Sequence, residues 1–261
     1  MLDKGLVLES YQITLHYKQL YLTHRIPFEK LTSEYTGVNF SNNITPKLES
    51  SENLFDYDYF YNGSGVGIAD INNDGLKDII FTANQQENKL YLNKGNLKFE
   101  DITESSNINQ NKGWSSGVTF ADINNDGWLD IYISQGGPNK ANNRKNLLLI
   151  NNRDLTFSDM ATEYGLDDEG ISTQSAFFDF DKDGDLDCIV MNENDYYGYD
   201  PLTFFKKFEN KTLLEQNSSH LYEQIDGKFV NITEKAGLLS PTFGLGLCVS
   251  DINNDGWQDI Y

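Results

Sequence analysis

The chain has 261 residues, of which 40 are acidic and 20 basic, so its formal net charge is −20. This charge repels nucleic acid and anionic lipid, and we predict no nucleic-acid partner. Hydrophobic residues make up 38% of the chain, which favours a sizeable core over wholesale disorder. No apolar stretch reaches the roughly 18 residues of a transmembrane helix, so membrane insertion is not expected either.

Residues 1–27 are predicted to be a tail. They lack the basic, apolar and small-residue regions of a signal peptide, so the sequence alone gives no location. Residues 28–32 begin a pattern that returns near residue 229, Phe-x-x-Leu/Ile-Thr. We interpret residues 28–32 as a lone strand that corresponds to the last strand of a repeat.

Four nearly identical nonapeptides begin at residues 70, 122, 179 and 251. They lie about 50 to 70 residues apart, a spacing typical of repeats that each form one supersecondary unit. Each has Asp at positions 1, 5 and 9, Asn or Asp at position 3 and Gly at position 6.

Four apolar or alternating segments accompany each complete nonapeptide, one before it and three after it. The first strands are residues 65–69, 117–121, 175–178 and 246–250; the second are 79–83, 131–134 and 188–191; the third are 89–93, 146–150 and 220–224; the fourth are 99–103, 157–161 and 229–233. Four short antiparallel strands per repeat predict an all-β fold, a β-propeller of four-stranded blades. Residues 28–261 then form an incomplete propeller with a lone N-terminal closing strand, three full blades and the start of a fourth unit.

Two insertions interrupt the repeat, at residues 136–144 and 195–219. Together with the tyrosine-rich residues 55–61 they are the predicted ligand surface, because exposed aromatic side chains anchor proteins and stack on sugars. The alternative is that these aromatics pack the blades together. Cys188 and Cys248 each lie in an apolar run, which predicts two buried thiols and no disulfide.

The nonapeptides have the donor pattern of a calcium loop. Side-chain oxygens at positions 1, 3, 5 and 9 and the backbone carbonyl at position 7 supply hard oxygen ligands, and the Gly at position 6 permits the sharp turn. The predicted ligands are Asp70, Asn72, Asp74, Leu76 and Asp78; Asp122, Asn124, Asp126, Trp128 and Asp130; Asp179, Asp181, Asp183, Asp185 and Asp187; and Asp251, Asn253, Asp255, Trp257 and Asp259. We predict up to four Ca²⁺ ions, with the loop at residues 179–187 tightest because it has the most carboxylates.

An EF-hand and a plain polar turn are the two alternatives to this kind of calcium loop. An EF-hand requires a bidentate Glu at position 12 and flanking helices, whereas position 12 here is Phe81, Ile133 or Val190 within a predicted strand. Plain polar turns remain an alternative for any single loop. Four copies with carboxylates at positions 1, 5 and 9 favour a cation, because unneutralised carboxylates this close repel one another.

The Gly-x-x-x-x-Asp-x-Asn-x-Asp-Gly-x-x-Asp units and the Phe-x-Asp-Ile-Thr strand ends resemble bacterial VCBS/FG-GAP-like repeat proteins, with calcium loops similar to those of integrin α-subunits. Asp-Tyr-Phe-Tyr-Asn-Gly at residues 58–63 is similar to the subgroup found beside ASPIC/UnbV domains. The resemblance implies about seven blades, the remaining ones outside this chain, an extracytoplasmic location and binding or adhesion. One departure is Gln174, which stands where the other repeats have Gly.

A calcium-stabilised module that binds a protein or glycan is therefore the predicted function. The alternative is a carbohydrate-active hydrolase or lyase on a propeller scaffold, since paired carboxylates serve glycosidases. The chain has three histidines and no nucleophile or phosphate-loop motif, and its conspicuous carboxylates belong to the nonapeptides. We predict that it is not an enzyme, and no catalytic or organic-cofactor residue is assigned.

Overall fold

The structure, a computed structural model, describes residues 30–109, 113–138, 144–196 and 199–261. The chain divides into two units, residues 1–36 and residues 37–261. The described part of the first unit contains one short helix, α1 (Ser33–Thr36). Of the lone strand predicted at residues 28–32, the first two residues lie outside the described part, and residues 30–32 have no strand conformation.

The second unit contains three four-stranded antiparallel sheets, blades 1 to 3, whose strands lie side by side in sequence order. Blade 1 has β1 (Val66–Ala69), β2 (Asp78–Phe81), β3 (Lys89–Asn93) and β4 (Phe99–Asp101). Blade 2 has β5 (Trp114–Ala121), β6 (Asp130–Gly136), β7 (Leu147–Asn151) and β8 (Phe157–Asp159). Blade 3 has β9 (Ile171–Phe178), β10 (Asp187–Glu193), β11 (His220–Ile225) and β12 (Lys228–Asn231). A two-stranded sheet, β13 (Val249–Ser250) and β14 (Asp259–Ile260), begins a fourth unit. The predicted all-β fold of propeller-type blades is confirmed.

The blades differ from the predicted strand bounds mainly at their first strands. β5 and β9 begin three and four residues earlier than expected, and each pairs with the following strand through a register shift. A β-bulge of this kind adds an unpaired residue and bends the strand. The residues before the bulge therefore do not continue the two-residue alternation of apolar side chains, and the sequence pattern does not show where the strand begins. One-turn helices follow two of the fourth strands, α2 (Thr103–Ser106) and α3 (Ala161–Tyr164).

The first strands of successive blades lie close together. The hydroxyl of Thr119 on β5 donates to the carbonyl of Ser175 on β9 at 2.9 Å. A Cβ atom at Gly117 would lie 2.5 Å from the carbonyl oxygen of Thr173, so only glycine allows this approach. Gln174, the departure from the glycine pattern, instead accepts a hydrogen bond from the backbone of Leu247 at 3.2 Å.

The apolar core lies between blades. One cluster joins blade 1 to blade 2 and includes Ile80, Leu90, Ile131 and Leu147. A second joins blade 2 to blade 3 through side chains such as Leu148 and Val190. Each sheet therefore buries one face against its neighbour, as layered β-folds require.

The sequence pattern assigns no secondary structure to the insertion at residues 195–219. The described part of this insertion contains two helices, α4 (Pro201–Lys207) and α5 (Lys211–Gln216). The side chain of Asp200 accepts from the backbone of Thr203, and Asn210 caps α5 in the same way at Leu213. Helices of seven and six residues are too short to show periodicity, and the caps were the available signal. None of the helices in the described part is long and apolar enough to cross a bilayer.

The tyrosine-rich residues 55–61 divide between core and surface. Tyr57 and Phe60 are buried against Trp114, which matches the packing alternative. Phe55 is 88% exposed and thus remains a candidate for contact with a ligand. The two thiols also differ, since Cys188 is buried as predicted whereas Cys248 is exposed.

Candidate metal centres

Each nonapeptide joins the first two strands of its unit, and in all four the Asp at position 1 accepts from the backbone of the Gly at position 6. The other backbone donor to this Asp is the residue at position 5 in three loops and Lys182, at position 4, in the third. In the second loop, Asp122 accepts from the backbone of Asp126 at 2.9 Å and of Gly127 at 2.8 Å. Gly127 has φ +84° and Asn125 has φ 54°, so two residues of this loop adopt the left-handed region. Gly and Asn tolerate that region better than other residues, which is why the sequence Asn-Asp-Gly folds here into a tight loop.

The Asp at position 9 is the buried end of each complete loop. Asp130 accepts from the backbone of Ile123 within the loop at 3.0 Å and from Asn151 on β7 at 2.8 Å. Asp78 and Asp187 occupy the same position, and all three are buried. Burial raises the pKa of both Asp130 and Asp187 to about 6. A nearby cation would offset the cost of keeping such a carboxylate charged.

The third loop brings carboxylates together most closely. Asp179, Asp181 and Asp187 each place an oxygen within 4.8 Å of the others. Within the described ranges, these residues are the only group of three or more acidic, His or Cys side chains that could hold a metal ion. Asp183 instead accepts from the backbone of Asp185 at 3.1 Å.

The other three loops have Asn at position 3, which removes one carboxylate from the cluster. Asn72 and Asn253 donate to the position-5 carboxylates of their own loops at 3.0 and 2.9 Å. Asp126 in the second loop is paired with Arg153 at 2.8 Å. The remaining predicted ligands of these loops, at positions 1, 7 and 9, lie in the same loops: Asp70, Leu76 and Asp78; Asp122, Trp128 and Asp130; and Asp251, Trp257 and Asp259.

Neighbouring loops are in contact with one another. Asn73 donates to the carbonyl of Gly127 at 3.0 Å, which joins the first loop to the second. The ammonium of Lys182 lies 3.8 Å from the ring centroid of Trp257, which joins the third to the fourth. The first and second loops therefore lie side by side, as do the third and fourth, and the loops of each pair support one another.

A buried polar network escaped the sequence analysis. His220 lies 2.5 Å from Asp168, whose side chain is fully buried, and Tyr222 donates to the same carboxylate at 2.8 Å. Glu193, at the end of β10, is another buried carboxyl group that lies outside the nonapeptides. No motif could have revealed these groups, because Asp168 and His220 are 52 residues apart in the chain.

Comparison with known proteins identifies one repeat and one group of relatives. The FG-GAP-like repeat family model matches residues 70–133, which contain the first two nonapeptides. Cartilage acidic protein 1 of Xenopus tropicalis is 28% identical over 202 residues, 76% of this chain and 28% of that protein. The Homo sapiens protein of the same name is 30% identical over 135 residues, 50% of this chain and 20% of its own length. The chain thus spans less than a third of the curated relatives it matches.

Among solved structures, a lectin of Agrocybe aegerita that recognises non-reducing terminal N-acetylglucosamine aligns with 75% of this chain and 46% of its own. The TM-score is 0.40 and the identity 19%, so this similarity carries no argument about ligand. The sequence comparisons show that the chain contains an FG-GAP-like repeat at residues 70–133 and is similar to cartilage acidic protein 1.

Proposed function

We propose that this chain is a calcium-stabilised repeat module that binds a protein or glycan outside the cytoplasm and is not an enzyme. The observation that carries the proposal is the convergence of Asp179, Asp181 and Asp187 within 4.8 Å. Calorimetric titration of the chelator-treated chain with CaCl₂ tests it, and absence of binding up to millimolar calcium would contradict it.

The donor chemistry of the loops fits calcium. All proposed ligands are carboxylate, amide or backbone oxygens, which Ca²⁺ accepts in flexible sets of six to eight. Zinc and copper favour Cys and His ligands, and the loops contain neither.

Extracellular calcium modules bind with Kd of about 10⁻⁴ to 10⁻³ M, which suits exposed loops at an extracytoplasmic location. Similarity to cartilage acidic protein 1 also supports that location. Residues 58–63 support membership of the ASPIC/UnbV-associated bacterial subgroup, as a further part of the proposal.

Replacing Asp181 with Asn should weaken calcium binding at the third loop alone. Asp181→Asn gives this loop the position-3 residue of the other three and removes one charge from the cluster. Ligand charge is one factor that tunes the affinity of such sites, and we expect a loss of about tenfold at the tightest site. Calorimetry of wild type and variant measures it. Asp154→Asn, an exposed aspartate outside the loops, is the matched control, and an unchanged titration of Asp181→Asn would contradict the assignment.

The insertion offers a surface for a partner. Leu202 is 84% exposed and Phe205 67% exposed on α4, and the exposed Phe243 stacks on Phe204 of the same helix. We call Leu202, Phe205 and Phe243 the insertion patch. Large exposed apolar side chains in a cluster are typical of an interaction site. Lys206 and Lys207 follow directly, so in a chain of net charge −20 this helix favours a partner with apolar and acidic groups.

Polar substitution of the insertion patch should abolish partner binding without unfolding the chain. Leu202→Ser with Phe205→Ser removes exposed apolar surface, and because neither residue is buried we expect a change in stability within about 0.5 kcal/mol. Binding is measured on a glycan array and by capture of proteins with calcium-loaded chain as bait. Leu97→Ser, which changes an exposed Leu of blade 1, is the control. A partner retained equally by all three proteins would place the binding surface elsewhere.

A further inference from the structure

His220 connects two parts of blade 3, in addition to the ion pair of Lys211 with Glu234 and the hydrogen bond from Asn192 to the carbonyl of Ser218. Its Nδ1 lies 2.5 Å from the carboxylate of Asp168, and its Nε2 lies 2.8 Å from the backbone carbonyl of Glu215. Glu215 belongs to the last turn of α5, and its carbonyl also accepts from the backbone of Ser218 at 3.2 Å. The imidazole therefore joins a buried carboxylate in the blade to the end of the helical insertion.

Both ring nitrogens lie within hydrogen-bond distance of an acceptor, and only the doubly protonated ring can donate to both. A neutral imidazole has one N–H, whereas the imidazolium has two. Burial acts to lower the pKa of His220, but the charge and hydrogen bond of Asp168 and the carbonyl of Glu215 raise it overall. Burial likewise acts to raise the pKa of Asp168, and the facing His220 lowers it overall. Both pKa shifts favour the charged pair, in which an imidazolium faces a carboxylate.

The proton that leaves first is the one on Nε2. Asp168 is ionised and also accepts from Gly170 and Tyr222, so its field holds the proton on Nδ1. After deprotonation, Nε2 presents a lone pair to the Glu215 carbonyl oxygen, and the contact changes from attractive to repulsive. The bond to α5 is thus the one that breaks.

We propose that His220 is a pH-dependent latch, which holds α5 on blade 3 while its ring is doubly protonated and releases α5 when Nε2 loses its proton. This inference rests on the proposed function in one respect, that the insertion containing α5 carries the binding surface. The consequence would be a module whose insertion is more ordered at low pH and loosens as pH rises.

The direction of the pH dependence follows from the groups around the His220 ring. His220 faces Asp168 and the backbone of Glu215, and its ring meets Tyr222 edge-on at 6.1 Å. Asn192 on β10 is neutral and lies 3.4 Å from Nδ1. The other charge acting on the ring is the carboxylate of Glu215, whereas Asp167 and Glu169, the chain neighbours of Asp168, are paired with Lys145. A raised pKa means that the stabilisation is complete below the unfolded value of His and disappears as pH rises through the folded value.

Hydrogen exchange of the backbone amides, corrected for the intrinsic pH dependence, tests the latch in the full chain. Between about pH 6 and about pH 9, protection of residues 211–218 should fall about tenfold, the equivalent of one charge-assisted hydrogen bond. Amides of blade 2 in the same sample are the internal control. His24→Gln removes a different imidazole and should retain the wild-type pH dependence, whereas His220→Gln should lose it.

A wild-type insertion whose protection does not change with pH would overturn the proposal. If His220→Gln fails to fold, NMR titration of the wild-type imidazoles decides instead, because the latch requires one of the three to titrate together with the exchange of α5. A failure of the proposed binding function is distinguishable, since it would appear only in the capture experiments with the insertion-patch variant. Neither exchange nor imidazole titration depends on a partner.

Discussion

Removal of calcium is expected to lower the melting temperature of this chain by more than any single surface substitution. An ion that binds only the folded chain stabilises it by about 2.7 kcal/mol when present at one hundred times its Kd. For a domain of this size, about 1 kcal/mol corresponds to about 2–4 °C in Tm, so even two saturated loops give a shift of about 10 °C or more. Differential scanning fluorimetry with and without EGTA measures the shift.

Three controls separate calcium binding from ordinary turn chemistry. Calcium added back should restore the melt, and magnesium should not, because it requires a rigid octahedral site and keeps its water. A variant with Asp122→Asn and Asp179→Asn should show a smaller response to EGTA than wild type. If EGTA leaves the midpoint unchanged, the backbone hydrogen bonds at Asp122 and Asp179 are enough to hold the loops, and the loops are polar turns.

Stability should also fall as pH rises from about 6 to about 8 because of one buried carboxyl group, a range that lies above the pKa values of about 6 of Asp130 and Asp187. Glu193 is 1% exposed and accepts from the hydroxyl of Tyr57 at 3.4 Å, while its Oε1 has no partner among the described residues. Burial raises its pKa from 4.5 to about 8, against the small opposing effect of Tyr57. Between these two values the unfolded chain has released the proton and the folded chain retains it, so folding becomes less favourable by about 1.4 kcal/mol per pH unit.

Glu193→Gln should remove most of this slope. Melting temperatures measured across that pH range at constant calcium should decline for wild type and stay nearly level for the variant. The variant should still lose some stability at the alkaline end of the range, because the raised pKa of His220 also makes stability decrease as pH rises there. Glu100→Gln, a change of an exposed carboxylate, should keep the wild-type slope. Equal slopes for all three proteins would show that Glu193 ionises in the folded chain as it does in water.

The repeated sequence pattern was enough to predict the strands of the blades and the positions of the loops. The four strands of each blade follow from local alternation of apolar residues. The loops follow from Gly at position 6 and, in three of the four, Asn at position 4, two positions that have positive φ; the third loop has Lys182 at position 4. These signals are local, since a strand or a tight turn depends on residues only a few positions apart. The proposed ligands could therefore be named from spacing, for instance Asp179, Asp181 and Asp187.

Tertiary structure decided which side chains meet across blades. Tyr57 and Phe60 looked like their exposed neighbour Phe55 in the sequence, and only packing against Trp114 separated core from surface. The pairing of Asp168 with His220 and the isolation of Glu193 likewise depend on which strands become neighbours after the blades pack. Contacts between residues far apart in the chain, and the desolvation that shifts a buried pKa, exist only in the folded state, so no local pattern encodes them.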